Sequence, residues 1–439
     1  MPGSAPSRVT RKLILVVIDG LTPEMYEDAV ERRTAPTLAA LHEAGTYGRA
    51  VSSFPSLTPV CLATLATGAH PNVHQIPHLV WYHRGEERLV EYGSSFGAMR
   101  AAGTRRTIKD AIVEMNAVHL SRDAVTVFES LEDAGLTTAA VNTPCYRGRT
   151  RHLPTVPGLV RPVDGPRRFF YFSLFESDVT GAPLAIRTRS GGSIDAYAAA
   201  VGRWLVTRDG FDFLFYYLPD YDYASHALGP GGAQEALARS DRAIGALVDA
   251  AGGLDELLGR YAVVVCSDHG QTGVDRAVRL QDSLADLPAT LVTASNRAGM
   301  VYLLPGARVD AREVAERLAG VDAVDVALFR EHSATVALRD GGEARIDTDD
   351  GDWRGRAARA LANSNAGDVV VSAAPGVEFA DLGGRHHAGG GSHGSLLDGD
   401  SLVPMLVVGG GQPPSEIAGV APLVLEHFGV EAPAYARAA

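Results

Sequence analysis

Residues 13–20 read LILVVIDG, and this octapeptide decides the fold class. Six aliphatic residues from Leu13 to Ile18 follow one another without a polar break. Such a run predicts a strand buried on both faces, as in a parallel sheet covered by helices. It ends in Asp19 and Gly20. Two more runs have the same form. FDFLFYYL at 211–218 leads into Asp220 and Asp222, and YAVVVC at 261–266 leads into Ser267, Asp268, His269 and Gly270. A shorter strand is expected at Thr137–Val141 and a late one at Val403–Val408. Helices are expected over Pro36–Ala44, Val60–Thr67 closed by Gly68, Ala124–Ala134 ending at Gly135, and Gln234–Leu257. Strands alternating with helices predict an α/β sandwich with a mainly parallel central sheet flanked by helices.

Two stretches interrupt this rhythm. Residues 77–123 are polar, Arg-rich and irregular, and are expected to form a cap-like insertion. Residues 290–380 contain MVYLL, AREVAERLAG, VDVALF and ATVAL, a βαββ-type pattern that predicts a small α+β subdomain. The main catalytic domain is then expected over 10–410, with 411–439 as a C-terminal extension whose last eight or so residues fray.

Composition narrows the function. The 439 residues suffice for one large domain with insertions. With 46% hydrophobic and 21% charged residues the chain is ordinary globular protein. A formal charge of −12 argues against a general grip on nucleic acid. Cys61, Cys145 and Cys266 form neither a disulfide framework nor a thiolate metal cluster. No apolar run approaches the roughly 18 residues that span a bilayer. The N-terminal MPGSAPSRVTRK does not lead into a signal-peptide core, so a cytoplasmic location without membrane contact is expected.

The chemistry-bearing residues sit where strands end. In an open α/β sheet, ligands bind beyond the carboxyl ends of the strands. Asp19, and Asp268 with His269, each follow a buried strand and precede a glycine, so they can converge on one crevice. Asp222 and His226 stand four apart just past a third strand. On a helical turn that spacing puts both on one face, and carboxylate with imidazole suits zinc. Asp220 competes with Asp222, and the spacing favours Asp222. His393 lies in GGGSHGS, where flanking glycines let the backbone approach a bound ion. His386 and His387 read as loop residues or as neighbours behind the ligands. Thr58, in SSFPSLTPVCLATLATG, is expected at the N-cap of the next helix, with Pro59 at the first helical position. Free N–H groups and the positive dipole end there suit a phosphoryl group, although a threonine at that place can also be a plain cap. Two Asp/His sets and one hydroxyl at a helix start are what two-metal phosphoryl transfer requires.

In order and spacing these segments resemble the alkaline phosphatase superfamily, most closely its nucleotide pyrophosphatase/phosphodiesterase branch. The segments are VVIDGL with Asp19, LTPVCLATLATGAHPNVHQI with Thr58, DYASHALGP with Asp222 and His226, CSDHGQT with Asp268 and His269, and GSHGS with His393. The resemblance implies an alkaline-phosphatase-like sandwich and a hydrolase that uses two divalent metal ions, Zn2+ first, with Mn2+ or Mg2+ as alternatives. One site would use Asp222, His226 and His393, the other Asp19, Thr58, Asp268 and His269. It also implies a covalent phospho-Thr58 intermediate.

Two departures bear on substrate. In that branch the residue after the nucleophile gives its backbone N–H to the phosphoryl group, and Pro59 has none. Either Val60 N–H or a side chain replaces it, or that contact is absent. The branch also places an Asn about twenty residues past the nucleophile, in contact with the phosphoryl oxygens, where this sequence has His78 and Leu79; either His78 takes that role or an insertion moves another residue into it. Trp81 and Tyr82 in the insertion are expected close to the crevice, stacking on a nucleobase or another planar leaving group.

The leading expectation is hydrolysis of a phosphodiester or pyrophosphate bond in a small-molecule phosphate ester, with nucleotides in its range. Phosphomonoester or phosphonate hydrolysis on the same metals is the alternative. It calls for a cation beside the site, with the Arg84–Arg106 segment and Arg147, Arg149 and Arg151 as candidates. A non-catalytic metal-binding relative is the alternative from another class. Sulfatases are disfavoured by Thr58-Pro59-Val60 where they carry Cys-x-Pro/Ala-x-Arg. A phosphoglycerate-type mutase is disfavoured by Thr in place of Ser and by the shortness of 77–123. Oligomeric state is left open.

Overall fold

The structure, a computed structural model, describes residues 11–158, 160–177, 179–184 and 193–437. Residue 10, the expected start of the catalytic domain, lies outside them, as do the last two residues. The central sheet has eight strands, in the order Thr46–Val51, Leu402–Val408, Tyr261–Cys266, Lys12–Ile18, Phe213–Leu218, Thr138–Val141, Arg168–Tyr171 and Phe175–Ser177. The five strands from Tyr261–Cys266 through Arg168–Tyr171 run parallel. The strands outside them pair antiparallel. The sheet is therefore mostly parallel, with antiparallel edges.

The register positions the site. Ile18 pairs with Leu218 and Val17 with Cys266. The chain thus leaves the sheet at one level through Asp19, Pro219 and Ser267. Alternate residues serve opposite faces. Leu13, Leu15 and Val17 join Val60, Leu65, Phe128 and Val424 in one core, and Ile14, Val16 and Ile18 join Leu38, Val201, Ile244 and Leu247 in the other.

Several element boundaries differ from expectation, each for a local reason. The helix after the SSFPSL loop is Thr58–Thr67, with Leu57 in the cap position and Gly68 left-handed at φ 68. Thr58 is therefore its first residue and not its N-cap. The helix expected from Ala124 begins at Val127, because Thr126 and Glu129 form a reciprocal capping box. Gln234–Leu257 splits into Gln234–Ala251 and Leu254–Arg260, since Gly252 and Gly253 sit at φ 103 and 130. The C-terminal end is not frayed through residue 437: the Tyr435 hydroxyl accepts from Val125 N at 2.8 Å.

Residues 77–123 are not irregular. They form a hairpin of Val80–His83 and Arg88–Glu91, helices Phe96–Ala102 and Thr104–Lys109, and a π-helical segment Asp110–His119. Residues 290–373 supply a second, antiparallel sheet of six strands, with helices Ala311–Ala319 and Trp353–Leu361 packed on it. Its first hairpin, Thr290–Ser295 with Ala298–Leu303, turns through Asn296 and Arg297. Asn296 takes φ 57, a left-handed value that asparagine tolerates. No helix among the described residues is long and apolar enough to cross a membrane.

Candidate active site

The loops at the carboxyl end of the parallel strands converge as the register requires. Gly20 is there for space: at φ 69, a Cβ on it would stand 2.8 Å from Asp222 Oδ1. His269 Nε2 lies 3.3 Å from Asp19 Oδ1, 3.6 Å from Asp268 Oδ2 and 3.2 Å from Thr58 Oγ1. Asp222 starts the other group, with His226 Nε2 3.3 Å from Oδ2 and His393 Nε2 3.8 Å from Oδ1. The His269 and His393 rings stack at 3.7 Å, joining the groups. All seven residues expected at the metal site are thus brought together.

The imidazoles are oriented by their other nitrogen. His226 Nδ1 lies 2.8 Å from Gly391 O, His269 Nδ1 3.0 Å from Gly270 O, and His393 Nδ1 2.8 Å from Ser56 O. A carbonyl only accepts, so each Nδ1 carries a proton and each Nε2 is left as the inward-facing ligand atom. The carboxylates are braced in the same way. The Tyr217 hydroxyl donates to Asp19, Gly20 N to Asp268 Oδ1 at 3.3 Å, and Gln271 Nε2 to Asp222 Oδ1 at 2.9 Å. Asp220 instead accepts from Ile194 N and Asp195 N, which answers its competition with Asp222.

The donor set fits two cations. Ligand atoms of Asp222, His269 and His393 lie within 4.8 Å of one another, as do those of Asp19, Asp268 and His269. His269 thus stands between the two groups. Asp19 Oδ1 and Asp268 Oδ2 are buried without a hydrogen-bond partner. Burial, then the charges of Asp268 and Asp222, push the Asp19 carboxyl well above the usual range. Burial also raises Asp268. For Asp222 burial acts in the same direction, but His226, His393 and His269 outweigh it and hold the carboxyl low. Burial, with His269 beside it, holds the His393 imidazole well below its ordinary value. Divalent cations held by these residues would satisfy the orphaned oxygens and offset the repulsion among three buried acids.

These groups open into a crevice of about 480 Å³, lined also by Asn296, Tyr223, Arg385 and His387. Thr58 is part of its lining. The Val60 N–H is spent on Leu57 O at 2.9 Å, so it does not replace the donor lost at Pro59. Asn296 lines the same crevice as Thr58, its Nδ2 2.9 Å from His393 Nε2. The sequence reading missed it, although an asparagine in a two-residue hairpin turn is a recognisable signal.

The three substrate-binding residues expected from sequence do not line the crevice. His78 is buried, its Nδ1 accepting from Val80 N at 3.1 Å. Trp81 is fully buried in the core under the small sheet, and Tyr82 packs edge-on against Tyr302 at 5.6 Å. Burying these rings is worth more than holding them in a wet cleft. Leu79, Tyr92, Gly93, Ser94 and Met115 of the same insertion reach the crevice in their place. None of the arginines expected near the site lines the crevice, and most are engaged elsewhere. Arg84 pairs with Asp368, Arg88 with Asp110, Arg147 with Glu129, Arg149 with Glu129 and Asp133, and Arg151 with Asp164. Among the described residues, Arg385 is the arginine that lines the crevice. His387, read as a loop neighbour, is in the crevice too, its ring 4.1 Å from that of His226.

The family model for type I phosphodiesterase / nucleotide pyrophosphatase matches residues 13–396. No curated protein matches the sequence significantly. Phosphonoacetate hydrolase from Sinorhizobium meliloti 1021, solved with phosphonoformate, is similar at TM-score 0.64 and 20% identity over 95% of this chain and 96% of that one. Murine ectonucleotide pyrophosphatase / phosphodiesterase 5 is similar at TM-score 0.64 and 15% identity over 96% of each chain, and an inactive form of it was solved with AMP. Likeness at these identities establishes the fold alone, a mostly parallel sheet flanked by helices. The family match spans most of the chain, and the protein belongs to the type I phosphodiesterase / nucleotide pyrophosphatase family of hydrolases.

Proposed function

We propose that the protein hydrolyses phosphodiester or pyrophosphate bonds of small molecules through a covalent phospho-Thr58 intermediate. The observation that carries this is the position of Thr58 Oγ1, at the first residue of a helix and 3.2 Å from His269 Nε2, where the two ligand groups meet. The proposed ligand sets are Asp222, His226 and His393 for one ion, and Asp19, Thr58, Asp268 and His269 for the other. The ions, with Zn2+ the best match to this N/O donor set, would lower the pKa of the Thr58 hydroxyl and neutralise charge on the phosphoryl group.

The chain's own residues do the rest. The buried helix Thr58–Thr67 fixes Oγ1 for in-line approach to phosphorus. Its oxygen forms the new bond as the ester oxygen departs. Water then breaks the Thr58–phosphorus bond and restores the hydroxyl. Asn296 supplies the amide donor that Pro59 cannot. The Nδ1 contacts hold each imidazole in one tautomer throughout.

Acid quenching during turnover of bis-p-nitrophenyl phosphate, followed by peptide mass spectrometry, tests the reading. A p-nitrophenylphosphoryl group on Thr58 is expected, since attack expels only one of the two p-nitrophenolates; turnover with no modified Thr58 peptide at any quench time would contradict it.

A further inference from the structure

The loop 381–390 reads DLGGRHHAGG, and both ends are seated on the scaffold of the site. A Cβ on Gly383 would meet Gly97 C at 2.5 Å and Ala98 N at 2.6 Å, and one on Gly390 would meet His226 O at 2.1 Å. Only glycine permits either approach. Between these anchors Asp381 Oδ1 accepts from Gly383 N at 2.8 Å and from Arg385 N at 2.9 Å, and Asp381 N donates to Arg385 O at 3.0 Å. Glu378 holds His387 through its N–H at 2.6 Å and its Nδ1 at 2.7 Å. The backbone on both sides of Arg385 is therefore fixed.

Its guanidinium is not. Among the described residues Arg385 makes no side-chain hydrogen bond and no ion pair, yet it lines the crevice together with Thr58, Asn296 and His393. The acids of its own loop are occupied, Asp381 by backbone amides and Glu378 by His387 and Ser392. It is not ion-paired with Asp19, Asp222 or Asp268 either, so it stands off from the metal-ligand cluster. A planar five-donor cation on a fixed backbone, facing a crevice, suits bidentate binding of an anion.

We propose that Arg385 is a specificity-determining residue that binds a second anionic group of the substrate, a carboxylate or a phosphate carried away from the scissile phosphoryl group. This rests on the phosphoester-hydrolase reading of the crevice. The preferred substrates are then esters or anhydrides whose remaining portion is itself charged, over neutral alkyl or aryl diesters.

Three p-nitrophenyl phosphodiesters test this, with glycolate, glycolamide or 2-phosphoethanol as the second alcohol. The first two differ by one charge at nearly equal size. With wild type, kcat/KM for a charged ester should exceed that for the glycolamide ester by about tenfold or more. Arg385→Ala should bring that ratio towards one, and Arg385→Lys should keep part of it. The arm that loses more identifies carboxylate or phosphate as the better fit. A wild type that does not discriminate, or an Arg385→Ala ratio equal to wild type, overturns the proposal. If none of the esters is hydrolysed, the hydrolase reading fails by itself. Calorimetric binding of the glycolate and glycolamide esters to zinc-loaded Thr58→Ala protein, with and without Arg385→Ala, then decides. Tighter binding of the charged ester that requires Arg385 supports the proposal, and equal binding overturns it.

Discussion

Asp19, Asp268, His269 and His393 were legible in the sequence because each is a polar residue at the end of an apolar strand or between glycines. Asn296 was not, although its role can be tested directly. Asn296→Ala should lower kcat for a diester by about 100-fold, the usual cost of removing one donor to developing phosphoryl or oxyanion charge. Metal content, measured by atomic absorption, should stay at the wild-type level. Near-wild-type kcat would remove Asn296 from the mechanism. The reason for the miss is physical. SNRAG shows a turn, but what the turn approaches depends on Arg297, whose Nη1 meets Asp400 Oδ1 at 2.9 Å across 103 residues of chain. Trp81 and Tyr82 were misplaced for the converse reason. In a polar stretch they look exposed, and only the distant small sheet, with Met300 and Tyr302, shows where they are buried.

At the scale of elements, buried charge networks hold the loops that the register brings together. Arg297 is fully buried. It reaches Asp400, Val377 O at 3.0 Å and Ala374 O at 3.0 Å, while its backbone N–H binds His393 O at 2.9 Å. It thus ties the hairpin tip of the small sheet to the loop bearing His393. Arg297→Met should destabilise the protein by about 3–5 kcal/mol, because Asp400 is left as a buried unpaired charge. Arg297→Met with Asp400→Asn should recover part of that loss. Denaturant titration checks both, and a single variant within about 1 kcal/mol of wild type would contradict the assignment.

A second network sets the helix Asp220–Leu228, which carries Asp222 and His226. Asp195 accepts from Asp220 N and from the Ser240 hydroxyl, while Asp220 accepts from Asp195 N. Burial, and then the Asp220 charge, pushes the Asp195 carboxyl from 3.8 up to about 7. An acid raised in the folded state binds its proton more tightly there. Its stabilising contribution is complete below pH 3.8 and is lost as the pH rises through about 7. Asp195→Asn, which cannot ionise, should therefore gain in Tm relative to wild type between about pH 5 and about pH 8. A Tm difference that is flat across this range would show that Asp195 does not titrate there.

At the scale of the whole molecule, the fold class followed from three apolar runs, because strands buried on both faces leave little alternative to a helix-covered parallel sheet. The edge strands Thr46–Val51 and Phe175–Ser177 did not stand out. The first is mixed in burial and carries Gly48 and Arg49, and its pairing with Leu402–Val408 joins distant parts of the chain. The same architecture makes a prediction about metal. Asp222→Asn with His226→Ala should lower content from about two ions per chain to about one, since the other ligand group is built on different loops. Two ions retained in the double variant would contradict the partition of ligands.

The central claim is that Thr58 attacks phosphorus, and loss of its hydroxyl tests this most directly. The measurement is the rate of bis-p-nitrophenyl phosphate hydrolysis by zinc-loaded wild type and Thr58→Ala at matched metal content. Thr58 is not the helix cap, so the substitution should leave Tm nearly unchanged. The account predicts that hydrolysis falls to background in the variant while the fold persists. A folded, metal-loaded Thr58→Ala protein that turns over the diester at near the wild-type rate would contradict it.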